Sequence, residues 1–163
     1  PKTMQYFKEA QRFGDFARSR LADGSFQNDF LQEVLDTELA MIALGRSGLT
    51  REPGEKPVPV PEDLAFRVLQ LHPACRAVAW HHEPGAVLAA LDAGRPLDGL
   101  PPGDHCLLLA AEPGGNLLLK TFRGDPARAL LAVDGERPAG VLCAALDLPG
   151  GVLAELMAAG WVV

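Results

Sequence analysis

Serine is scarce in this 163-residue chain: Ser19, Ser25 and Ser47 are the only ones. None sits in the strained strand-turn-helix elbow of a nucleophilic hydrolase, and "GRSG" around Ser47 is not that motif. Cysteine is scarce as well, with Cys75, Cys106 and Cys143 far apart, odd in number and forming no Cys-x-x-Cys pair. They read as small buried hydrophobes of a reducing compartment, not as a disulfide framework. A cysteine nucleophile needs an exposed, electropositive setting beside a base, whereas Cys106 and Cys143 lie within apolar runs. Phosphate-binding signatures are missing too: there is no Walker loop and no dinucleotide fingerprint, and "PGG" at 149–151 before a helix is a lone anion-site signal.

Basic charge is not in excess. The net charge is −6, and residues 1–52 hold seven basic against eight acidic side chains, well mixed. Nucleic-acid binding rests on clustered Lys and Arg that neutralise phosphates, so this balance argues against DNA or RNA as a partner. No apolar run approaches the roughly 18 to 20 residues that span a bilayer, and "PKTMQYFKEAQRF" has no signal-peptide core. A cytoplasmic protein is expected. Apolar residues make up 48% of the chain, enough for one good core or two small ones.

Periodicity divides the chain. Met4, Phe7, Ala10, Phe13, Phe16, Ala17 and Leu21 recur at helical spacing over 3–22, and Phe30, Leu31, Val34, Leu35, Leu39, Ile42 and Ala43 do so over about 28–45. The two predict a helical hairpin over 1–50. "REPGEKPVPVPED" at 51–63 carries four prolines in a polar stretch and predicts an extended linker. Beyond it, "LAFRVLQLH" alternates as a strand would, and "EPGAVLAALDAG" predicts a short helix stopped by Gly94. "CLLLAAEPGGNLLLKTF" predicts a β-hairpin around Glu-Pro-Gly-Gly-Asn. Three helices follow at about 125–133, 138–146 and 149–159, each with a proline at its start: Pro126, Pro138 and Pro149. The order of strands and helices is that of a winged-helix-like unit, and the fold class is α+β. Because the hairpin strands are apolar on both faces, both faces need cover. The C-terminal helices supply one cover; the N-terminal hairpin or another protein supplies the other.

Ligand-type side chains crowd into "HPACRAVAWHHEP", residues 72–84. His72 and Cys75 fit half of a zinc motif, but adjacent His81 and His82 point in different directions in any regular backbone. Packing and loop roles are expected for them. A small metal-binding enzyme using His72, Cys75, His81 and His82 is one alternative function, and a DNA-binding winged-helix regulator is another. Against the regulator, the last helix holds only Glu155 as a charged residue. Among the acids of the second helix, Glu38 is expected to be partly buried between Leu35, Leu39 and Ile42.

What remains is a binding surface. A strand with a free edge beside a helix accepts an extended peptide as an added strand. The candidate strand is Asn116, Leu117, Leu118, Leu119, Lys120, Thr121 and Phe122, the candidate helix is "GVLAELMAAG", and Lys120 and Arg123 are placed to attract an acidic segment.

The succession "FLQEVLDTELAMIAL", proline-rich linker, "LQLHPACRAVAWHHEP", "HCLLLAAEPGGNLLLKTF", "ARALLAV" and "LMAAGWVV" resembles the small partner subunits of multinuclear non-heme iron-dependent oxidases. Those oxidases modify ribosomally made peptides, and the methanobactin and thiaglutamate pathways hold the best-known partner types. The resemblance covers nearly the whole chain, and its most specific pieces are Glu38-Leu39-Ala40, Leu71-His72-Pro73 and Trp161. It implies a domain over 64–163 similar to a peptide-recognition element, three strands then three helices, with an insertion at 73–103. It implies a leader peptide lying along the third strand, Asn116 to Phe122, and along the third helix, where Val152, Leu153, Leu156 and Met157 would touch it. It implies that iron and dioxygen act on the larger subunit and that this chain is not itself an enzyme. Trp80, His81, His82 and Glu83 are then the expected contact with the oxidase.

Overall fold

A computed structural model describes Asp15, Ser19 and residues 29–52, 59–95 and 99–163. The fold is mixed α+β. A helix α1 (Asp29–Ser47) is followed by strand β1 (Cys75–His82), helix α2 (Pro84–Asp92) and strands β2 (Pro102–Ala111) and β3 (Leu117–Arg123). Helices α3 (Asp125–Ala132), α4 (Ala139–Leu146) and α5 (Val152–Ala158) complete it. The first helix expected over 3–22 lies outside the described residues except at Asp15 and Ser19, both helical and exposed. No helix among the described residues is long and apolar enough to cross a membrane.

The sheet is antiparallel with order β1-β2-β3, so β2 is central. Leu108 pairs with Ala77 on one side and with Lys120 on the other. Between β2 and β3, Gly114 and Gly115 both take φ of +80°, a conformation that closes the hairpin at no steric cost to glycine. The Glu112 N–H donates to the Asn116 carbonyl across it at 2.9 Å.

Cys106, Leu107, Leu108, Leu109 and Ala110 are all buried, which accounts for the lack of alternation along β2. Side chains alternate between faces along a strand, so burial of every one requires cover above and below. Cys106, Leu108 and Ala110 point with Cys75 into a core closed by α3, α4 and α5 through Ala127, Leu130, Leu142, Leu153, Leu156 and Trp161. Leu107 and Leu109 point the other way with Val78 and Trp80, against Leu44 of α1 and Val87 of α2. Each such leucine contributes about 2 kcal/mol by leaving water.

The strand expected over "LAFRVLQLH" does not form. Leu64–Phe66 is a single 3-10 turn, and only two isolated bridges follow, Val68 with Pro138 and Leu71 with Val162. Its alternation does not mark a buried strand face: Phe66 is 84% exposed and Val68 is exposed, Leu64 is only partly buried against the core, and Leu69, off that stripe, is fully buried. The first strand is instead Cys75–His82, inside the stretch 73–103 that was expected to be an insertion. Residues 70–72 still tie the chain's end down: Gln70 exchanges two backbone hydrogen bonds with Val163, and the His72 N–H donates to the Trp161 carbonyl.

Candidate peptide-binding edge

β3 forms because "LLLKTFR" follows a tight turn and tucks Leu118 and Phe122 against the helix-side core, while Leu119, Lys120, Thr121 and Arg123 stay exposed. Among the described residues β3 pairs with β2 alone. Its outer row of N–H and C=O groups is therefore a template for a further strand. Asn116 stands exposed at the entrance, its side-chain amide donating to the Pro113 carbonyl at 3.4 Å.

A cationic and aromatic cluster lies under this edge on the helix side. The Lys120 ammonium is 5.1 Å from the Phe122 ring centre and 5.2 Å from that of Trp161. Phe122 meets Trp161 edge to face, at 6.3 Å and 78°. The Arg51 guanidinium lies 4.1 Å from the Trp161 ring centre and donates to the Ala159 and Gly160 carbonyls at 2.8 and 3.4 Å. Those carbonyls end α5, where a cation also complements the helix dipole. Lys120 and Arg123 make no ion pair with any described residue. Two cations share one indole, and among the described residues their charge is met by ring faces and carbonyl dipoles instead of a carboxylate.

On the sheet's other face α1 covers β1 and β2 but leaves β3 uncovered. A cavity of about 310 Å³ opens there, lined by Val34, Thr37 and Glu38 of α1, Leu119 and Thr121 of β3, and Trp80 and Leu107 beneath. A second, of about 320 Å³, is lined by Met41, Leu44 and Gly45 together with Leu117 and Asn116. Val34, Glu38, Met41 and Gly45 recur at spacings of three and four and so form one side of α1.

The expected contribution of the last helix is corrected by its burial. Val152, Leu153, Leu156 and Met157 all belong to the helix-side core, so none presents a surface to a peptide. Their spacing marks the inward stripe of α5, and the same apolar residues that made the helix look like a binding face are the ones the core takes. Within α5 only Glu155 is exposed.

The 72–84 segment divides by strand geometry. Trp80, expected at the surface, is 4% exposed and donates its indole N–H to Thr37 Oγ1 at 3.1 Å, which corrects its assignment to an oxidase contact. Glu83 caps α2, accepting the Gly85 and Ala86 N–H groups at 3.0 and 2.6 Å. His81 and Glu83 are exposed, and His82 is half-buried. His72 accepts the Ala74 N–H at Nδ1, 3.2 Å away, as turn residues do. Among the described residues no three His, Cys, Asp or Glu side chains come close enough together to hold a metal ion.

The buried acid of α1 is Glu33, not Glu38. Glu33 is 4% exposed and accepts the His81 backbone N–H at Oε1, 2.6 Å away, whereas Glu38 is exposed on the groove wall. Glu33, Thr37, Ala40 and Leu44 form the sheet-facing stripe. Thr37 Oγ1 also donates to the Glu33 carbonyl at 2.8 Å, so one short network fastens α1 to β1. Burial pushes the Cys106 thiol up to about 12, with a backbone hydrogen bond from Val78 acting in the opposite direction; it is a packing residue at neutral pH. Arg51, Val34 and Met41 were not anticipated as site residues, and for Arg51 no local signal exists, because its partners lie at the far end of the chain.

No protein-family model matches the chain, and no curated protein sequence matches it.

Proposed function

We propose that this chain is a non-catalytic partner subunit that binds the leader segment of a precursor peptide along β3 and presents the peptide's core cysteines to a multinuclear iron-dependent oxidase. The observation that carries the reading is the outer edge of β3, which no described residue pairs, beside the Lys120, Arg51 and Trp161 cluster. Such an edge supplies affinity through backbone hydrogen bonds and choice through alternate side-chain pockets. The resemblance to oxidase partner subunits supplies the rest of the proposal. In it, residues 64–163 act as a winged-helix-like recognition element, three strands then three helices, and the N-terminal part forms a helical hairpin. Asn116 to Arg123 form the peptide's platform. The exposed His81 and Glu83, backed by Trp80, contact the oxidase in a cytoplasmic heterodimer.

Iron and dioxygen act on the oxidase. The cysteine chemistry proposed is methanobactin-type heterocycle and thioamide formation, with carbon excision from a C-terminal cysteine as the close second. The test is to mix the purified chain with a cysteine-bearing precursor peptide and with a multinuclear iron-dependent oxidase of the resembled kind, separately and together, and to follow complex formation by size-exclusion chromatography. Binary complexes with each and a ternary complex are expected. If neither partner binds, the reading is wrong.

A further inference from the structure

We propose that the peptide taken by this edge is two-sided, with an anionic side chain opposite Lys120 and apolar side chains opposite Leu117 and Leu119, and that α1 reads the apolar side. The inference rests on β3 being a peptide-binding edge and adds which peptides it chooses.

The reasoning starts from strand geometry. A strand added beside β3 lies about 4.8 Å away, and residues paired across two strands point to the same face of the sheet. Residues opposite Leu118, Lys120 and Phe122 therefore face the helix side, and residues opposite Leu117, Leu119 and Thr121 face α1. On the helix side the arriving side chain meets Lys120, which rests by the Trp161 indole and makes no ion pair with any described residue. A carboxylate there gains a charge-assisted hydrogen bond from the Lys120 ammonium, which no described carboxylate neutralises.

On the other face the arriving side chain enters the groove between α1 and β3. Its lining is apolar at Val34, Met41, Leu107 and Leu119, and Leu119 is 52% exposed, a large apolar area for a strand to leave bare. Glu38 stands on the same wall, so a carboxylate is disfavoured on this side by like charge. The two faces thus ask for opposite chemistry from successive residues, and period-two alternation is the only pattern that satisfies both. Burial of the α5 residues in the core leaves α1 as the groove's other wall, which gives the N-terminal helix a part in recognition beyond covering the sheet.

Selection of random ten-residue peptides displayed on phage against the intact chain tests this. Enriched peptides are expected to carry Asp or Glu at one position, with Leu, Ile, Val or Phe at the alternate positions beside it. Against Lys120→Glu the acidic preference should invert to Lys or Arg, and one selected acidic peptide should bind this variant about tenfold more weakly. Val34→Lys should remove the apolar preference and leave the acidic position intact. Circular dichroism of both surface variants verifies their fold. Enriched peptides without alternation, or an unchanged charge preference in Lys120→Glu, would overturn the two-sided model while leaving a peptide-binding edge. If no peptide is enriched, both the edge reading and this inference fall.

Discussion

The Arg51 guanidinium stacks on the Trp161 indole, 4.1 Å from its centre, and so fixes the end of the α1 segment to the end of the chain. The same residue donates its backbone N–H to the Ala111 carbonyl at 2.7 Å, reaching the last residue of the central strand. One residue thus joins the segment after α1, the sheet and the terminal turn, at the place where Lys120 of β3 also rests by the ring. Arg51→Ala removes a cation–π contact and two hydrogen bonds to carbonyls. A loss of about 1 to 2 kcal/mol is expected in urea unfolding. Arg51→Lys should recover only part of it, because an ammonium cannot stack and span both carbonyls as the planar fork does.

Glu33 is expected to behave as a buried acceptor and not as a surface acid. Glu33→Ala leaves the His81 N–H without its partner and should cost about 1 to 3 kcal/mol of unfolding free energy. Glu33→Gln keeps an amide oxygen in reach of that N–H and should retain most of the stability. The exposed Glu38→Ala should change it little.

Gly140 is held by space. A Cβ built there would come within 2.9 Å of the Ala65 carbonyl oxygen, which is backbone and cannot rotate away. Gly140→Ala should destabilise by about 1 to 3 kcal/mol despite the better helix propensity of alanine. Gly150→Ala, with nothing within 4 Å, is the control expected to be close to neutral.

The Cys106 thiol carries a pH dependence of defined sign. Its folded pKa of about 12 lies above the ordinary 9.0, so above pH 9 the unfolded chain releases a proton that the native state keeps. Stability contributed by this neutral thiol is complete below pH 9 and falls between 9 and 12, at a limiting slope of about 1.4 kcal/mol per pH unit. Denaturant titrations of the chain and of Cys106→Ala across pH 8 to 11 should diverge in that direction. In the native state at pH 8, Cys143 should react with a thiol reagent ahead of buried Cys75 and Cys106.

Much of the carboxyl-terminal half was legible because its punctuation is local. Pro126 and Pro138 mark helix starts, whereas α5 begins at Val152, three residues past Pro149, and the Glu-Pro-Gly-Gly-Asn turn fixes the hairpin. The unbroken apolar run of β2 announced a sheet covered on both faces. β1 was missed because Arg76, His81 and His82 interrupt its apolar side, whereas Leu64, Phe66 and Val68 alternate cleanly along a segment in which Phe66 and Val68 are exposed and only Leu64 touches the core. For α1, the stripe of Leu35, Leu39 and Ile42 was visible, but the sheet-facing stripe contains Glu33 and Thr37 and did not look like a core face. The same difficulty ran in reverse for α5, whose apolar stripe suggested a binding surface and turned out to be core. The Arg51 and Trp161 contact could not be read at all, since no local pattern records a pairing made only by the tertiary fold.

Amide hydrogen exchange along β3, measured with and without the precursor's leader peptide, tests the central claim most directly. Backbone pairing of the peptide with this edge predicts slowed exchange at alternate amides of Leu117–Arg123 on adding the leader, and loss of that protection in Lys120→Glu. Unchanged exchange across β3 under saturating peptide, or protection confined to His81 and Glu83, would contradict it.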